Sequence, residues 1–397
     1  MSIPPLTISV GQNNEQINGN SDRTLQAGVD YLARLGGGTL RIGPGVYHFT
    51  NSINLQSNIR IEGCGEETVL MKNASHRSTL IEDADWYSDS VVVDDPSGFE
   101  IGHGIVLQAK DSHSGRNLCF RFTIIGLEGN RLLLDRQLTE NFWTDCEGAA
   151  ATLFPILCGE NVSNIEIGNL VLDGNKEENE ELNGNYGGGF FMQNCEQIRL
   201  DSVTSQNYRG DGFSWQVVHD LSITNCRSLN NTNLGLHPGS GSQRPVIKNN
   251  QVEGGNIGLY FCWGVKNGIA ENNRIVGSET GISIGHRDTD NVVLRNEVIQ
   301  AKGIGLQFRD HKIPDRNGHR NLIEDNLFSN CGPDGEAKVI EINGLTRSIT
   351  IRNNTFEETR EDANARAIII GPAAEDIQIE GNTFTGFDRE VVYGEAD

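Results

Sequence analysis

The chain has 397 residues, 47 of them glycine, and carries 54 acidic against 32 basic side chains, a formal net charge of −22. That charge argues against nucleic acid and anionic membrane surfaces as partners, and against a polyanionic substrate unless the binding face is locally basic or holds a cation. No apolar run reaches the roughly 18 residues of a membrane span, and residues 1–20 lack the basic start and apolar core of a secretion leader. The expectation is a cytoplasmic protein as written, or a secreted one whose leader has been removed.

Residues 21–35 read as an amphipathic helix, with Ser21 or Asp22 as its cap and Leu25, Val29, Leu32 and Leu35 at helical spacing. Three glycines, 36–38, break it, and a short strand over 39–42 follows, closed by the turn residues of 43–47. A helix laid across the open end of a stack of coils covers both exposed core and unpaired backbone, so this one is expected to be a cap.

The run TLQAGVDYLARLGGGTLRIGPGVYHF, with the later INLQSNIRIEGCGEETVL, resembles the opening segment of the pectate-lyase-like superfamily of right-handed β-helix proteins. That superfamily includes pectate lyases, polygalacturonases, alginate lyases and epimerases, and phage tailspikes. Together with the coils described below, the resemblance covers most of the chain. It implies a fold and leaves the reaction open.

Residues 83–154 interrupt the repeat. Their alternating runs and the dipeptide Gly129-Asn130 fit a compact antiparallel β module with a tight hairpin, expected to wall one side of a cleft. The division expected is therefore 1–82 for the cap and first coils, 83–154 for the module, and 155–397 for the coils that carry the active face.

From Gly189 a phrase returns every 23 or 24 residues, at Gly212, Gly235, Gly258, Gly281 and Gly305. The residues one and three after each glycine are apolar, which is a strand period with one buried face. A second column, Ile167, Leu200, Ile223, Ile247, Ala270, Leu294, Ile323, Ile351 and Ile379, precedes Asn or another small polar residue at steps of 23 to 33 residues. Strand-bearing repeats of this length without a leucine-rich consensus indicate an all-β, single-stranded right-handed parallel β-helix with an N-terminal helical cap and the inserted module. The Asn pairs 249–250, 272–273 and 353–354 belong at corners, hydrogen-bonding along the stack.

The acidic, glycine-rich stretch 175–188 reads as a solvated loop. Longer coils at 311–320 and 332–338 add loops on one side, and the residues after Phe387 read as a short acidic tail. The eight cysteines, 64, 119, 146, 158, 195, 226, 262 and 331, show no CxxC pair and are expected to be free thiols, mostly buried.

In stacked coils, positions two and four after the glycine should face outward, in rows about 4.8 Å apart. The plus-two row reads Phe191, Ser214, His237, Tyr260, Ser283, Gln307, Glu341 and Ile369, and the next corner holds Trp263, His286, Arg287, Asp288, Arg309, Asp310 and His311. His237 and Tyr260 are candidates for proton transfer, with an Arg lowering the Tyr pKa. Arg287 and Arg309 suit a carboxylate or sugar hydroxyls, Trp263 suits a sugar ring, and Ser214, Gln307 and Glu341 extend the binding face. Asp288 and Asp310 are a candidate carboxylate pair. No cofactor is called for, with Asp288, Asp290 and Asn291 as a candidate Ca2+ site.

Asp211, in NYRGDGFSW, is similar to the aspartate of the Asn-Thr-Asp-Gly motif of polygalacturonases, which helps catalyse hydrolysis. That family's next coil carries paired aspartates, where this chain has Asn233 and Leu234, and its Gly-His-Gly and Arg-X-Lys motifs are missing, although GISIGHRD is loosely like the first. The first expectation is thus β-elimination on a uronate-containing glycan, a polysaccharide lyase with His237 or His286 as base, Tyr260 as acid and Arg287 or Arg309 neutralising the carboxylate. The alternatives are a glycoside hydrolase using Asp288, Asp310 or Asp211, and a non-catalytic glycan-binding β-helix.

Overall fold

A computed structural model describes residues 3–360 and 364–394. The chain winds into coils of three short strands, each strand pairing in parallel with its counterpart one coil away. The first strands stack as Phe190–Gln206 (by its opening residues), Phe213–Thr224, Leu234–Pro238, Ile257–Tyr260, Thr280–Ile284, Ile304–Phe308, Lys338–Ile342 and Arg366–Ile370. The register keeps the repeat in step, with Leu236, Leu259, Ile282, Leu306, Ile340 and Ile368 in one buried row. Buried Phe328 and Phe356 and partly buried Phe384 form another row, with stacked rings 5.4 and 5.0 Å apart. Equal coil length thus converts sequence period into a continuous core. The stretch expected to be a tail contributes one more strand, Arg389–Tyr393, paired with Arg366–Ile370; residues 395–397 lie outside the described residues.

One corner of the coils from Asn250 to Asn382 is an asparagine ladder. Asn250, Asn273, Asn296, Asn326 and Asn354 are buried, and each donates its backbone N–H and its Nδ2 to the Oδ1 of the next, ending on Asn382, at 2.8 to 3.0 Å. The residue before each rung, such as Asn249, Asn272 or Asn353, takes the left-handed turn. The ladder answers the backbone donors that a sharp corner leaves without partners.

The helix Asp22–Arg34 closes the N-terminal end, burying Leu25, Val29 and Leu32. Ser21 is the N-cap by position, but its side chain makes no capping bond, and Asp22 instead accepts from the backbone N–H and hydroxyl of Thr50. Leu35 falls past the helix end and is exposed.

The six strands of the second, antiparallel sheet lie between Arg77 and Ala151, so its first strand, Arg77–Thr79, starts ahead of residue 83. Gly129 and Asn130 make the two-residue turn between Asn117–Glu128 and Arg131–Leu134. The sheet has its own apolar core, which includes Val91, Ile105, Phe122, Leu132 and Phe142. Its strand Asn117–Glu128 leans on the solenoid: Arg121 donates to the Cys158 thiol at 2.6 Å and lies 5.1 Å over the Phe191 ring. Between the two sits a cavity of about 480 Å3, lined by Asn54, Arg121, Asp135, Arg136, Cys158 and Glu160 among others.

Candidate functional site

Strand register sets Phe191, Ser214, His237, Tyr260, Ser283, Gln307, Glu341 and Ile369 in one row across neighbouring coils. The row is far less open than outward alternation implies, because Ser214, His237 and Ser283 are buried. The stretch 175–188 folds back over Ser214 and Asp211 instead of standing in solvent, and the Arg309 guanidinium lies on Ser283. Leu182 is buried in the main core, the Gly184 carbonyl accepts from Ser214 Oγ at 2.6 Å, and Asn179 takes a hydrogen bond from the buried ammonium of Lys72.

Beneath this cover Asp211 and His237 form a dyad, with Asp211 Oδ2 at 2.8 Å from His237 Nδ1 and Asp211 Oδ1 accepting from the Leu234 N–H at 3.1 Å. The thiol of Cys262, on the next coil, interacts electrostatically with the same imidazole. Burial alone would lower the His237 pKa, but Asp211 and Cys262 outweigh it and lift it to about 9. Burial pushes the Cys262 thiol up, while His237, Arg309 and Ser240 draw it below its ordinary value. At neutral pH the imidazole is therefore charged, and the resting His237 is set to donate a proton.

Tyr260 lies 5.2 Å from His237 by ring centroids, and the Arg309 guanidinium sits 4.5 Å over its ring. Burial raises the Tyr260 pKa despite that cation, so the expected lowering by an Arg is overturned and the phenol stays neutral. Arg309 does not reach into solvent as a clamp. Its guanidinium is held by Ser283 Oγ at 2.8 Å, the Phe261 carbonyl at 2.7 Å and Asp288 at 3.1 Å, while its buried Nε has no acceptor among the described residues.

Asp288 is fully buried and accepts from the Val265 and Gly285 N–H groups as well as from Arg309. Burial lifts its carboxyl well above the usual range, against the pull of Arg309 and those two donors. It orients Arg309 and cannot pair with Asp310, which is exposed on the next coil. The candidate Ca2+ set is also dispersed in role: Asp290 is bidentate to Arg320, and Asn291 is a rung of a corner ladder with Asn321. Among the described residues no group of three or more His, Cys, Asp or Glu side chains is arranged for a metal ion.

The next corner carries an aromatic stack. His286 lies 5.1 Å from Trp263 and 5.7 Å from His311, edge-on, and Arg316 approaches the Trp263 ring at 5.9 Å. Burial, then Arg309 and His311, lower the His286 pKa, so this imidazole is neutral. Trp263 remains 38% exposed, and Arg287 is exposed with no ion-pair partner among the described residues. Gln307 and Glu341 are half-buried further along the row. Sequence reasoning passed over Cys262, although it stands four residues after Gly258, an outward position by the same alternation that selected Arg309 four after Gly305.

The family model for the right-handed β-helix region matches residues 188–317. No curated protein matches the sequence. Among solved structures, the A-module of a mannuronan C-5 epimerase from Azotobacter vinelandii is similar, with a TM-score of 0.61 at 12% identity over 94% of this chain and 92% of that one. A hyperthermoactive exopolygalacturonase from Thermotoga maritima is similar with a TM-score of 0.57 at 15% identity, over 100% of this chain and 94% of that one. With the register above, these likenesses establish that the chain has the right-handed parallel β-helix fold.

Proposed function

We propose that the protein is a carbohydrate-active enzyme that cleaves a uronate-containing glycan by β-elimination. The observation that carries this reading is the stack of Tyr260 and Arg309 beside His286 on a face where Asp211 and Asp288 are buried and committed to His237 and Arg309. A hydrolase needs two carboxylates facing the scissile bond, and of the three aspartates considered only Asp310 is exposed. Elimination needs a cation for the uronate carboxylate, a base for the C5 proton and an acid for the leaving oxygen. Arg287 is the unpaired cation, neutral His286 is the base, and Tyr260, kept as a phenol, supplies the proton. Trp263 offers its ring to a sugar face.

The local charge supports an anionic glycan. In a chain of net charge −22, this face gathers Arg287 and Arg316, beside Arg309 and His237, which are paired with Asp288 and Asp211. The names of the two similar enzymes, a mannuronan epimerase and a polygalacturonase, both specify uronate polymers. The test is a panel of uronate-containing polysaccharides read for unsaturated, ultraviolet-absorbing product and for new reducing ends. Elimination yields both in step; reducing ends alone indicate hydrolysis, and neither signal with retained binding indicates a glycan-binding module. No helix among the described residues is long and apolar enough to cross a membrane.

A further inference from the structure

We infer that Asp211, His237 and Cys262 form a second catalytic centre on the same face, in which Cys262 is the nucleophile of an acyl transfer that removes ester substituents from sugar hydroxyls. The inference stands apart from the elimination reading, which uses His286 and Tyr260.

The three side chains come from consecutive coils and are ordered as nucleophile, base and orienting carboxylate. Asp211, fully buried, accepts the Nδ1 proton of His237 at 2.8 Å, and Ser214 Oγ lies 3.2 Å from the same nitrogen. Nδ1 is thereby committed, which leaves Nε2 for the Cys262 thiol. That nitrogen also lies 3.5 Å from Gln216 Nε2. The backbone of Cys262 is fixed against the coil that carries His237 by its N–H, which donates to the Pro238 carbonyl at 2.9 Å. Cys262 is half-buried, whereas Cys226 and Cys331 are buried in the corners.

Their environments differ in the sense that reactivity requires. Burial drives the Cys226 and Cys331 thiols up to about 12, while Cys262 is drawn down by His237 and Arg309. Arg309, whose guanidinium lies over the Tyr260 ring, donates to the carbonyl of Phe261, the residue before Cys262, at 2.7 Å. A cation held beside the thiol's own strand favours the thiolate.

In the first step the Cys262 thiolate adds to the ester carbonyl carbon. The carbon–oxygen bond to the sugar breaks, and the departing sugar oxygen takes the proton of the His237 imidazolium, leaving a thioester. In the second, water adds to the thioester carbon and gives a proton to neutral His237, the carbon–sulfur bond breaks, and the thiolate, the imidazolium and a free carboxylic acid result. No oxidant, metal or co-reactant other than water is consumed.

The test uses the full-length protein with 4-nitrophenyl acetate and an O-acetylated uronate polymer as probes. Expected are release of acetate and an acetyl adduct on Cys262 by mass spectrometry of the quenched protein, both abolished in Cys262→Ser and Cys262→Ala. Asp211 acts through His237 as a positioning residue. In protein that circular dichroism shows to be folded, Asp211→Asn should slow acyl release roughly 100-fold and move the pH profile of Cys262 alkylation by iodoacetamide to higher pH. Acetate release that survives in folded Cys262→Ala, absence of any acetate release, or an alkylation profile of Cys262 that matches free cysteine would each overturn the inference.

Discussion

Asp211 and His237 stand 26 residues apart in the chain, yet the Asp211 carboxylate and His237 Nδ1 meet at 2.8 Å with both side chains withdrawn from solvent. The pair exists because adjacent coils are nearly equal in length. Its consequence is thermodynamic as well as chemical, since it lifts the His237 pKa to about 9 from an ordinary 6.5. A group whose pKa is higher folded than unfolded contributes stability that is complete below the unfolded value and is lost as pH rises through the folded one. Asp211→Asn removes that contribution, so urea midpoints of wild type and variant should differ most near about pH 6 and converge by about pH 9.5. A gap that is constant with pH contradicts the charged dyad.

The corner ladder makes a second prediction. Asn296 accepts from the N–H and Nδ2 of Asn273 and donates to Asn326 and the Ala270 carbonyl. Asn296→Ala leaves several buried polar groups without partners, at a cost of about 3 kcal/mol. Exposed Asn272, which only makes the turn, should tolerate Gly with a loss of under about 0.5 kcal/mol. Equilibrium denaturation of both variants checks the contrast.

The rows of the solenoid were legible in the sequence because each coil repeats its glycine, its apolar pair and its corner asparagine at nearly constant spacing. His237, Tyr260 and Arg309 could therefore be set side by side, as they are in the fold. What local pattern could not show is which outward positions are covered. The acidic, glycine-rich 175–188 has the composition of a solvated loop, but Leu182 and Asn179 anchor it across the row, and that depends on Lys72, more than a hundred residues earlier. Burial of Asp288 was hidden for a similar reason, since its partners are backbone groups and a side chain from the following coil. Cys262 was within reach of the alternation rule and was masked by being read with seven other scattered thiols.

Lys72 provides a third test. It is buried without a carboxylate, hydrogen-bonded to Asn179 and the Thr152 carbonyl and 4.5 Å from the Phe154 ring centroid, and burial lowers its pKa to about 7. Between that value and 10.5 the unfolded chain binds more protons, so the penalty of burying the ammonium is complete below about pH 7 and fades as pH rises. Lys72→Met is expected to gain on the wild type at about pH 6 relative to about pH 9. Denaturation midpoints that shift the opposite way would contradict the assigned burial.

The cover over the dyad is sterically tight at Gly184, where an added Cβ would lie 1.7 Å from Asp211 Oδ2. Gly184→Ala should therefore lift 175–188 off Ser214 and Asp211. Limited proteolysis within 175–188 should accelerate about tenfold, with the rest of the solenoid still protected. Unchanged cleavage would mean that the stretch does not close on the dyad as described.

The most direct measurement of the central claim is the initial rate of ultraviolet-absorbing product on a uronate polymer that the wild type cleaves, compared for His286→Ala and Tyr260→Phe, with new reducing ends counted in parallel. Loss of roughly 100-fold in both variants, with absorbance and reducing ends falling together, is the predicted result. Reducing ends formed without absorbance, or full absorbance from both variants, would contradict it.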